Sequence, residues 1–192
     1  MPDTALLPWC ELPTAYEHGE FRVKWAATPW EHRQAAALRH DVFCTEQRLF
    51  EGDDRDAIDT SGRVQTLVAL ACQAGEADRL AGTVRIHEAE DGLWWGSRLA
   101  VQADFRHHGR LGQALVRLAV ASARARGCHT FLAHVQRQNE PLFRRLHWRT
   151  LKTLTLHGIE HRLMAADLDR HPPCWDPYSG VVLAPVRVGA AA

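Results

Sequence analysis

The chain has 192 residues, 46% of them hydrophobic, so it can bury one full core, and its length favours a single domain. Lysine plus arginine and aspartate plus glutamate each total 23, which excludes a general electrostatic attraction to nucleic acid or acidic membranes. No basic segment precedes a long apolar run at the start, and no window reaches the roughly 18 apolar residues of a membrane span. We expect a soluble, cytoplasmic protein without a nucleic-acid or membrane partner.

The cysteines and histidines form no recognisable framework. Five cysteines are odd in number and widely scattered, which fits free thiols in a reducing compartment better than disulfides. Twelve histidines invite a metal hypothesis, but neither CxxC nor HExxH spacing occurs. The nearest pair of candidate ligands is His171 and Cys174, and a closed zinc site needs about four ligands. We therefore predict no metal site.

The ends of the chain differ from its middle. Residues 1–19 and 169–192 contain scattered prolines without periodicity, which indicates loosely attached arms on either side of one domain at residues 20–168. The domain opens with residues 20–26, which alternate as a strand does. A helix is predicted at residues 28–43, because a threonine and a proline stand at its start and apolar residues recur on one face.

The middle of the chain predicts a strand meander followed by a crossover. After an acidic loop, residues 64–72, 79–89 and 93–101 have the composition of three successive strands joined by glycine-containing turns. A helix is predicted from about Gly109 to Arg126, because a glycine follows as a C-terminal stop. A short apolar strand comes next.

The last part of the domain predicts a second short helix and a hairpin. Residues 139–148 contain an asparagine cap and a proline in the first turn. Two alternating segments then lie on either side of Gly158. The order of elements predicts an α+β fold in which helices flank one mixed, mostly antiparallel central sheet.

The loop before the long helix has the character of an anion site. Backbone N–H groups and the helix dipole at such a start suit phosphate. Gly109 and Gly112 would let a bulky anion approach the main chain, and Arg106 and Arg110 add charge. An ordinary glycine-containing helix start remains the alternative at this point, and neither a P-loop nor a dinucleotide fingerprint occurs.

This segment resembles the GNAT superfamily of acyl-coenzyme A-dependent N-acyltransferases. Their hallmark at this helix start is Gln or Arg, two residues, Gly, one residue, and Gly or Ala, and placing Gly112 last sets His107 on the Gln or Arg. The resemblance implies that the loop holds the pyrophosphate of acetyl-coenzyme A and that the preceding strand pairs with its pantetheine arm. The implied cofactor contacts are Leu99, Ala100, Val101, Arg106, His107, His108, Gly109, Arg110, Leu111, Gly112 and Gln113.

Two further segments carry the resemblance. "NEPLFRRLHW" is similar to the family helix that lies along the cofactor, which implies contacts from Asn139 and Phe143. Phe143 stands where many relatives have the tyrosine that acts as general acid, and His147 stands where they have glycine. "LRHDVFCTEQRLFEGDDRDAID" resembles ElaA-like members and, more faintly, autoinducer synthases. More narrowly, "FLAHVQRQNEPLFRRLHW" with "HGIEHRLMAADL" is similar to GNATs of nitrogen-starvation gene clusters, which have no established substrate.

Acyl transfer to an amine needs a base, because an alkylamine with a pKa near ~10.4 is protonated at neutral pH. His134 is the first candidate, and a structural histidine bonded to backbone is the alternative. Glu46 is the second candidate if partial burial raises its pKa, against an ordinary surface glutamate. Arg85 would bind an acceptor carboxylate, against an ion pair with Glu88 or the acidic loop. Without a tyrosine, water or Cys44 would protonate the departing thiolate.

Three functions are compatible with these residues. The leading hypothesis is an N-acetyltransferase that uses acetyl-coenzyme A and a small amine or amino-acid-like acceptor. The rivals are a non-catalytic acyl-coenzyme A-binding or partner-docking module and an autoinducer-synthase-like acyltransferase. The acceptor, the acyl length and the oligomeric state, with a homodimer as one option, are left open.

Overall fold

The computed structural model describes residues 20–184. Its helices are α1 Pro29–His40, α2 Arg110–Arg124 and α3 Glu140–Arg145, and its strands are β1 Glu20–Trp25, β2 Val64–Gln73, β3 Glu76–Glu90, β4 Leu93–Val101, β5 Thr130–Gln136, β6 Trp148–Leu156, β7 Ile159–Ala166 and β8 Val181–Leu183. The strands form one sheet in the order β6-β7-β5-β4-β3-β2-β1-β8. All neighbours are antiparallel except β4 and β5. The predicted mixed, mostly antiparallel sheet is confirmed.

The two long helices cover opposite faces of the sheet. The Thr28 side chain accepts a hydrogen bond from the Glu31 backbone, and the Glu31 carboxylate binds the Thr28 N–H, so α1 begins with a capping box. A π-helical turn, Asp41–Glu46, continues α1 and buries Val42 and Phe43 in the core cluster between α1 and the sheet. Helix α2 buries its apolar side in the larger cluster on the other face. Gly127, with φ 87°, follows α2 as predicted.

Strands β4 and β5 separate part of the way along their length. Their parallel pairing runs from Leu93↔Thr130 to Gly96↔Ala133 and then ends. Beyond that point β4 has a register shift against β3, and Arg98 there has φ 55°. Such a bulge bends the strand away from its neighbour. The sheet is therefore split open at the C-terminal ends of β4 and β5.

Part of the predicted C-terminal arm belongs to the sheet. Strand β8 pairs with β1 through Phe21↔Leu183 to Val23↔Val181. Gly180 lies so close to β1 that an added Cβ would stand 2.1 Å from the Val23 carbonyl oxygen. Only a glycine fits there, and its φ of 64° also favours glycine. The predicted N-terminal arm, residues 1–19, lies outside the described residues.

His171, one of the two candidate metal ligands, is held by a backbone contact. His171 is buried, and its Nε2 lies 3.0 Å from the Leu146 carbonyl oxygen. Between residues 20 and 184, no group of three or more potential metal ligands is found.

None of the helices in that range is long and apolar enough to cross a membrane.

Candidate active site

A cleft of about 640 Å³ lies where β4 and β5 separate. Because the gap passes between two strands, its walls come from both faces of the sheet. On the α2 face it is lined by Val116, Ala119, Phe131, Phe143 and Trp148. On the α1 face its lining includes Phe43, Leu49, Phe50, Asp56, Ile58, Arg85, His87, Trp95, Ser97, His134, Gln136, Leu156, His157 and His161.

His134 lies on the wall of this cleft, as required of a base. Its imidazole is 5.0 Å from the Trp95 ring, centroid to centroid. The side chain is exposed and lines the cleft, yet partial burial by the surrounding protein lowers the pKa of His134 below the usual 6.5, and the nearby His161 and Lys152 side chains lower it further. His134 is therefore neutral at pH 7 and can accept a proton.

The two adjacent tryptophans of β4 divide between the core and the cleft. Trp94 is buried in the cluster on the α2 face, whereas Trp95 lines the cleft. This is the alternation expected of neighbouring residues in a strand. Trp95 thus shapes the pocket in front of His134.

His87 is a candidate that the sequence analysis did not single out. It is paired with Trp95 across β3 and β4 and lines the cleft. Its buried Nδ1 has no hydrogen-bond partner within residues 20–184. Burial and then the charge of Arg85 lower the pKa of His87. The alternation of β3 already predicted that His87 lies on the same face as Arg85. The sequence could not show that its Nδ1 lacks a hydrogen-bond partner.

Arg85 does not present a free guanidinium. It is 1% exposed, and its Nη1 lies 2.7 Å from both Asp56 Oδ1 and Asp59 Oδ2. Its Nη2 donates to Asp56 Oδ2 at 2.8 Å and its Nε to Ser97 at 3.0 Å. Of the two hypotheses, the structure favours the ion pair with the acidic loop, because those carboxylates already occupy the guanidinium.

The same acidic loop binds two more arginines. Arg39 Nε donates to Asp54 Oδ2 at 2.8 Å, and its Nη atoms bind Asp59 at 2.8 and 3.1 Å. Arg98, in the bulge of β4, donates to Asp54 Oδ2 at 2.9 Å. The hydrogen bond from Arg85 and the nearby charges of Arg85 and Arg98 lower the pKa of Asp56 despite its partial burial. The three aspartates of the loop and these three arginines therefore form a clamp that holds the bulged strand.

Glu46 lies outside the cleft lining and is ion-paired with Arg106. Arg106 Nη1 and Nη2 contact its two carboxylate oxygens at 2.5 and 2.6 Å. The hydrogen bond from Arg106 lowers the pKa of Glu46, more than its slight burial raises it. The expected rise in the pKa of Glu46 is wrong, because Arg106 pairs with the carboxylate. The sequence did not show this partner.

The start of α2 has the open geometry of an anion site. No side chain caps it, and its first turn contains no acidic residue. A Cβ added to Gly109 or Gly112 would meet no atom within 4 Å. Neither glycine has a positive φ, so the backbone does not require glycine there. What the two glycines provide is space beside N–H groups that lack intrahelical acceptors.

The neighbouring side chains are less available than the sequence suggested. Arg110 Nη2 donates to the Ala184 carbonyl at 2.7 Å, and Arg106 is occupied by Glu46. His108 packs against Phe21, with ring centroids 5.1 Å apart. At this helix start the backbone is thus the more accessible anion donor. His107 is exposed, and Gln113 is half-buried.

Of the predicted cofactor contacts at Leu111 and at the end of β4, some are buried in the core and others are accessible. The Leu111 side chain is fully buried, and its backbone N–H donates to the His108 carbonyl at 3.0 Å, so its predicted cofactor contact lacks a free donor. Ala100 is buried in the α1-side core, whereas Leu99 lines the cleft and Val101 is half-buried. Past Gly96, β4 has no strand partner on its β5 side among the described residues.

Asn139, directly before α3, and Phe143, within it, both line the cleft. Phe143 is 6% exposed and packs edge-on against Trp148, with ring centroids 5.0 Å apart. It brings no ionisable group to the cleft, and Cys44 is not part of the cleft lining. His147 has φ 62°, a conformation that favours the glycine of the resembling family.

Two contacts across the cleft were not predicted. Gln136 Nε2 donates to Gln47 Oε1 at 2.9 Å, and the Phe50 and His157 rings lie 4.9 Å apart. They join the segment after the π-helical turn to β5 and to the β6–β7 hairpin. The α1 side of the cleft is therefore a roofed pocket.

Comparison with known proteins identifies the family. A family model for the acetyltransferase (GNAT) family matches residues 15–148, which is more than half of the chain. The chain therefore belongs to the GNAT acetyltransferase family, whose acyltransferases use acyl-coenzyme A, and the predicted resemblance is confirmed at this level. No curated protein sequence matches significantly.

Solved structures share the fold at low sequence identity. Escherichia coli ElaA has a TM-score of 0.63 and 16% identity, over 77% of this chain and 98% of that chain. An acyl-CoA N-acyltransferase from Pseudomonas aeruginosa has a TM-score of 0.61 and 20% identity, over 76% and 97%. The CoA-dependent acyl-homoserine lactone synthase BjaI, with SAM and isopentyl-CoA, has a TM-score of 0.59 and 17% identity, over 77% and 83%.

Proposed function

We propose that this GNAT-fold acyltransferase is an N-acetyltransferase that transfers the acetyl group of acetyl-coenzyme A to a small amine or amino-acid-like metabolite. The observation that carries the proposal is the split between β4 and β5. It sets a neutral histidine, His134, on a roofed pocket. The uncapped start of α2 follows the open end of the same strand, β4.

The residues at the start of α2 fit the diphosphate of coenzyme A. Gly109 and Gly112 face open space, and the dipole of α2 favours negative charge there. Within residues 20–184 the edge of β4 past Gly96 has no strand partner, so it can pair with an extended amide chain and donate an N–H to the acyl oxygen. Bound acetyl-coenzyme A would supply the thioester carbonyl and a thiolate leaving group.

His134 would take the proton of the attacking amine. The amine nitrogen bonds to the acyl carbon, the carbon–sulfur bond breaks, and the thiolate leaves with the bonding electrons. An acceptor bound as the ammonium ion first gives one proton to water, which makes its nitrogen a nucleophile. The second proton, lost as nitrogen bonds to the acyl carbon, goes to His134, whose lowered pKa keeps it neutral beforehand. No hydroxyl on Phe143 protonates the sulfur, so water would do so.

One observation favours a second candidate, a non-catalytic acyl-coenzyme A-binding module. Phe143 is buried and packed on Trp148, so the position of the usual acid serves the core. A thiol-release assay with acetyl-coenzyme A and a set of amines separates the two. Saturable coenzyme A binding without release under any acceptor would establish the module instead.

The assignment of the base is tested with His134→Ala. We expect kcat to fall by at least ~100-fold, the usual contribution of a general base, while the Kd of coenzyme A changes less than about threefold. His32→Ala, on the exposed side of α1, is the matched control and should leave both unchanged. Equal kcat for His134→Ala and the parent would remove His134 from the mechanism.

Three finer predictions stand beside this one. We propose that the chain belongs with the GNATs of nitrogen-starvation clusters, from the similarity of residues 131–148 and 157–168 noted above. That label names no acceptor. A cytoplasmic location and a homodimer are likewise proposals from the sequence. Size-exclusion chromatography with light scattering would test the dimer.

A further inference from the structure

The acceptor side of the cleft is built from aromatic rings, aliphatic side chains and imidazoles. Trp95 lies beside His134, at 5.0 Å between ring centroids, and Phe50 contacts His157 at 4.9 Å. Burial lowers the pKa of both His87 and His134, which keeps them uncharged near neutrality. The apolar members of this wall are Phe43, Leu49, Phe50, Ile58, Trp95 and Leu156.

The charged residues that line the pocket are already paired with one another. Arg85 binds Asp56 through both carboxylate oxygens at 2.7 and 2.8 Å. Arg98 donates to the Asp54 carboxylate at 2.9 Å and to its carbonyl oxygen at 2.9 Å. Its guanidinium also stacks over the Phe50 ring, 4.4 Å from the centroid. Neither arginine is left to receive a ligand carboxylate.

The whole clamp is electrically balanced. Arg39, Arg85 and Arg98 face Asp54, Asp56 and Asp59 in one connected set of ion pairs. A carboxylate entering the pocket would have to displace an aspartate from an arginine or lose its hydration without a partner. Both are unfavourable in a partly desolvated site.

An ammonium group meets the opposite conditions. The face of an aromatic ring carries negative partial charge, so Trp95 attracts a cation and repels an anion. The neutral imidazole of His134 offers a lone pair for the amine proton. An apolar or aromatic body on the amine would pack against Phe50 and Ile58.

We infer that the acceptor is an aromatic or bulky apolar primary amine that carries no carboxylate, such as an arylalkylamine, rather than a free amino acid. This inference rests on the proposed transferase function, because it concerns the same pocket. The paired arginines exclude an acceptor with a carboxylate. The apolar and aromatic wall of the pocket favours an acceptor with an aromatic or apolar body.

Matched acceptor pairs test the inference. Tryptamine is compared with tryptophan, and phenethylamine with phenylalanine, since each pair differs by one carboxylate. We expect kcat/KM to be at least ~100-fold higher for each amine, because the carboxylate of the amino acid would be desolvated without a partner. Calorimetry of each compound with the coenzyme A-bound protein measures the same preference without turnover.

The outcomes separate the inference from the proposed function. Thiol release with tryptophan equal to or better than with tryptamine would overturn the inference and leave the transferase intact. Calorimetric binding of tryptamine over tryptophan without thiol release would uphold the pocket chemistry and defeat the transferase. No calorimetric preference for either amine, with no release, would overturn both.

A charge variant provides an independent check. Asp56→Asn removes the carboxylate that lines the pocket and frees Arg85 Nη2, while Asp59 still holds Nη1. The clamp then has three arginines and two aspartates, so we expect the preference for tryptamine over tryptophan to fall at least ~10-fold. Asp59→Asn is the matched control, because Asp59 does not line the cleft and both Asp56 oxygens still hold Arg85. Its preference should stay within about threefold of the parent. An unchanged preference in a folded Asp56→Asn protein, checked by its melting temperature, would contradict the role given to the clamp.

Discussion

The His134 imidazole and the Trp95 indole are in contact across the split in the sheet, at 5.0 Å between centroids and 47° between planes. Trp95, on β4, is paired with Leu132 one residue before the last pair, Gly96↔Ala133, and His134 directly follows Ala133 on β5. The candidate base therefore stands at the point where the sheet opens.

The pH dependence of kcat should reflect the neutral state of His134. Because its pKa is lowered in the folded protein, His134 stays unprotonated to a lower pH than an ordinary histidine. We expect the acid limb of kcat against pH to have its midpoint below 6.5. Lys152→Met removes one of the positive charges that lower this pKa, so the midpoint should move upward. Steady-state kinetics at saturating substrates between pH 5 and 9 measures both, and a midpoint above 7 would contradict the assignment.

The glycines at the start of α2 should matter for the cofactor and not for the fold. Gly112→Ala has space for its methyl group and adds helix propensity worth up to about 1 kcal/mol. We expect unchanged or slightly higher stability and at least ~10-fold weaker coenzyme A binding, because the methyl group blocks approach to the backbone. Calorimetry and thermal melts measure these. Gln34→Ala, exposed on α1, is the control for a helix substitution, and equal affinity in the two variants would refute the site.

The arginine clamp should contribute strongly to stability. Arg85→Ala leaves Asp56 and Asp59 short of a partner, and breaking a buried ion pair costs about 3–5 kcal/mol. Arg79→Ala removes an exposed pair with Asp104 and should cost less than about 1 kcal/mol. Urea unfolding of both variants gives the comparison. Similar free energies of unfolding for the two would show that the clamp is not structural.

Restoring the family hydroxyl should raise the rate. A thiol has a pKa near 8.5, so its departure as an unprotonated thiolate at pH 7 forgoes about 2 kcal/mol. We expect Phe143→Tyr to raise kcat at pH 7 by less than ~30-fold, the rate equivalent of that energy, with the gain disappearing above pH 8.5. Phe105→Tyr, buried outside the cleft, controls for the cost of burying a hydroxyl. A gain that does not depend on pH would point to repacking instead.

The elements were largely predictable because their signals are local. Periodicity and a proline-containing cap predicted α1, and α2 was predicted within two residues of its observed ends at Arg110 and Arg124. Strand β8 was not predicted, because three residues carry no periodicity and this strand exists only through its pairing with β1. The π-helical turn after α1 likewise has no sequence signal that separates it from an ordinary helix.

The sequence predicted which residue types form the site, but not which of their charges are neutralised by ion pairs. Alternation along β5 and the resemblance placed His134 on the relevant strand, and the structure puts it on the cleft. Glu46 and Arg85 were chosen for charges that other residues neutralise: Arg106 is 60 positions from Glu46, and Asp56 is 29 from Arg85. A long-range ion pair leaves no mark on spacing.

The sequence by itself determined the order of strands and helices from β1 to β7, the family, and the glycine-bearing start of α2, since these follow from periodicity, caps and short motifs within a few residues. Only the tertiary structure decided which charges are free. Whether Arg85 can bind an acceptor depends on where the acidic loop folds back, and whether Glu46 can act as a base depends on Arg106. Electrostatic character is a sum over neighbours in space, and those neighbours are brought together by the fold rather than by proximity in the chain.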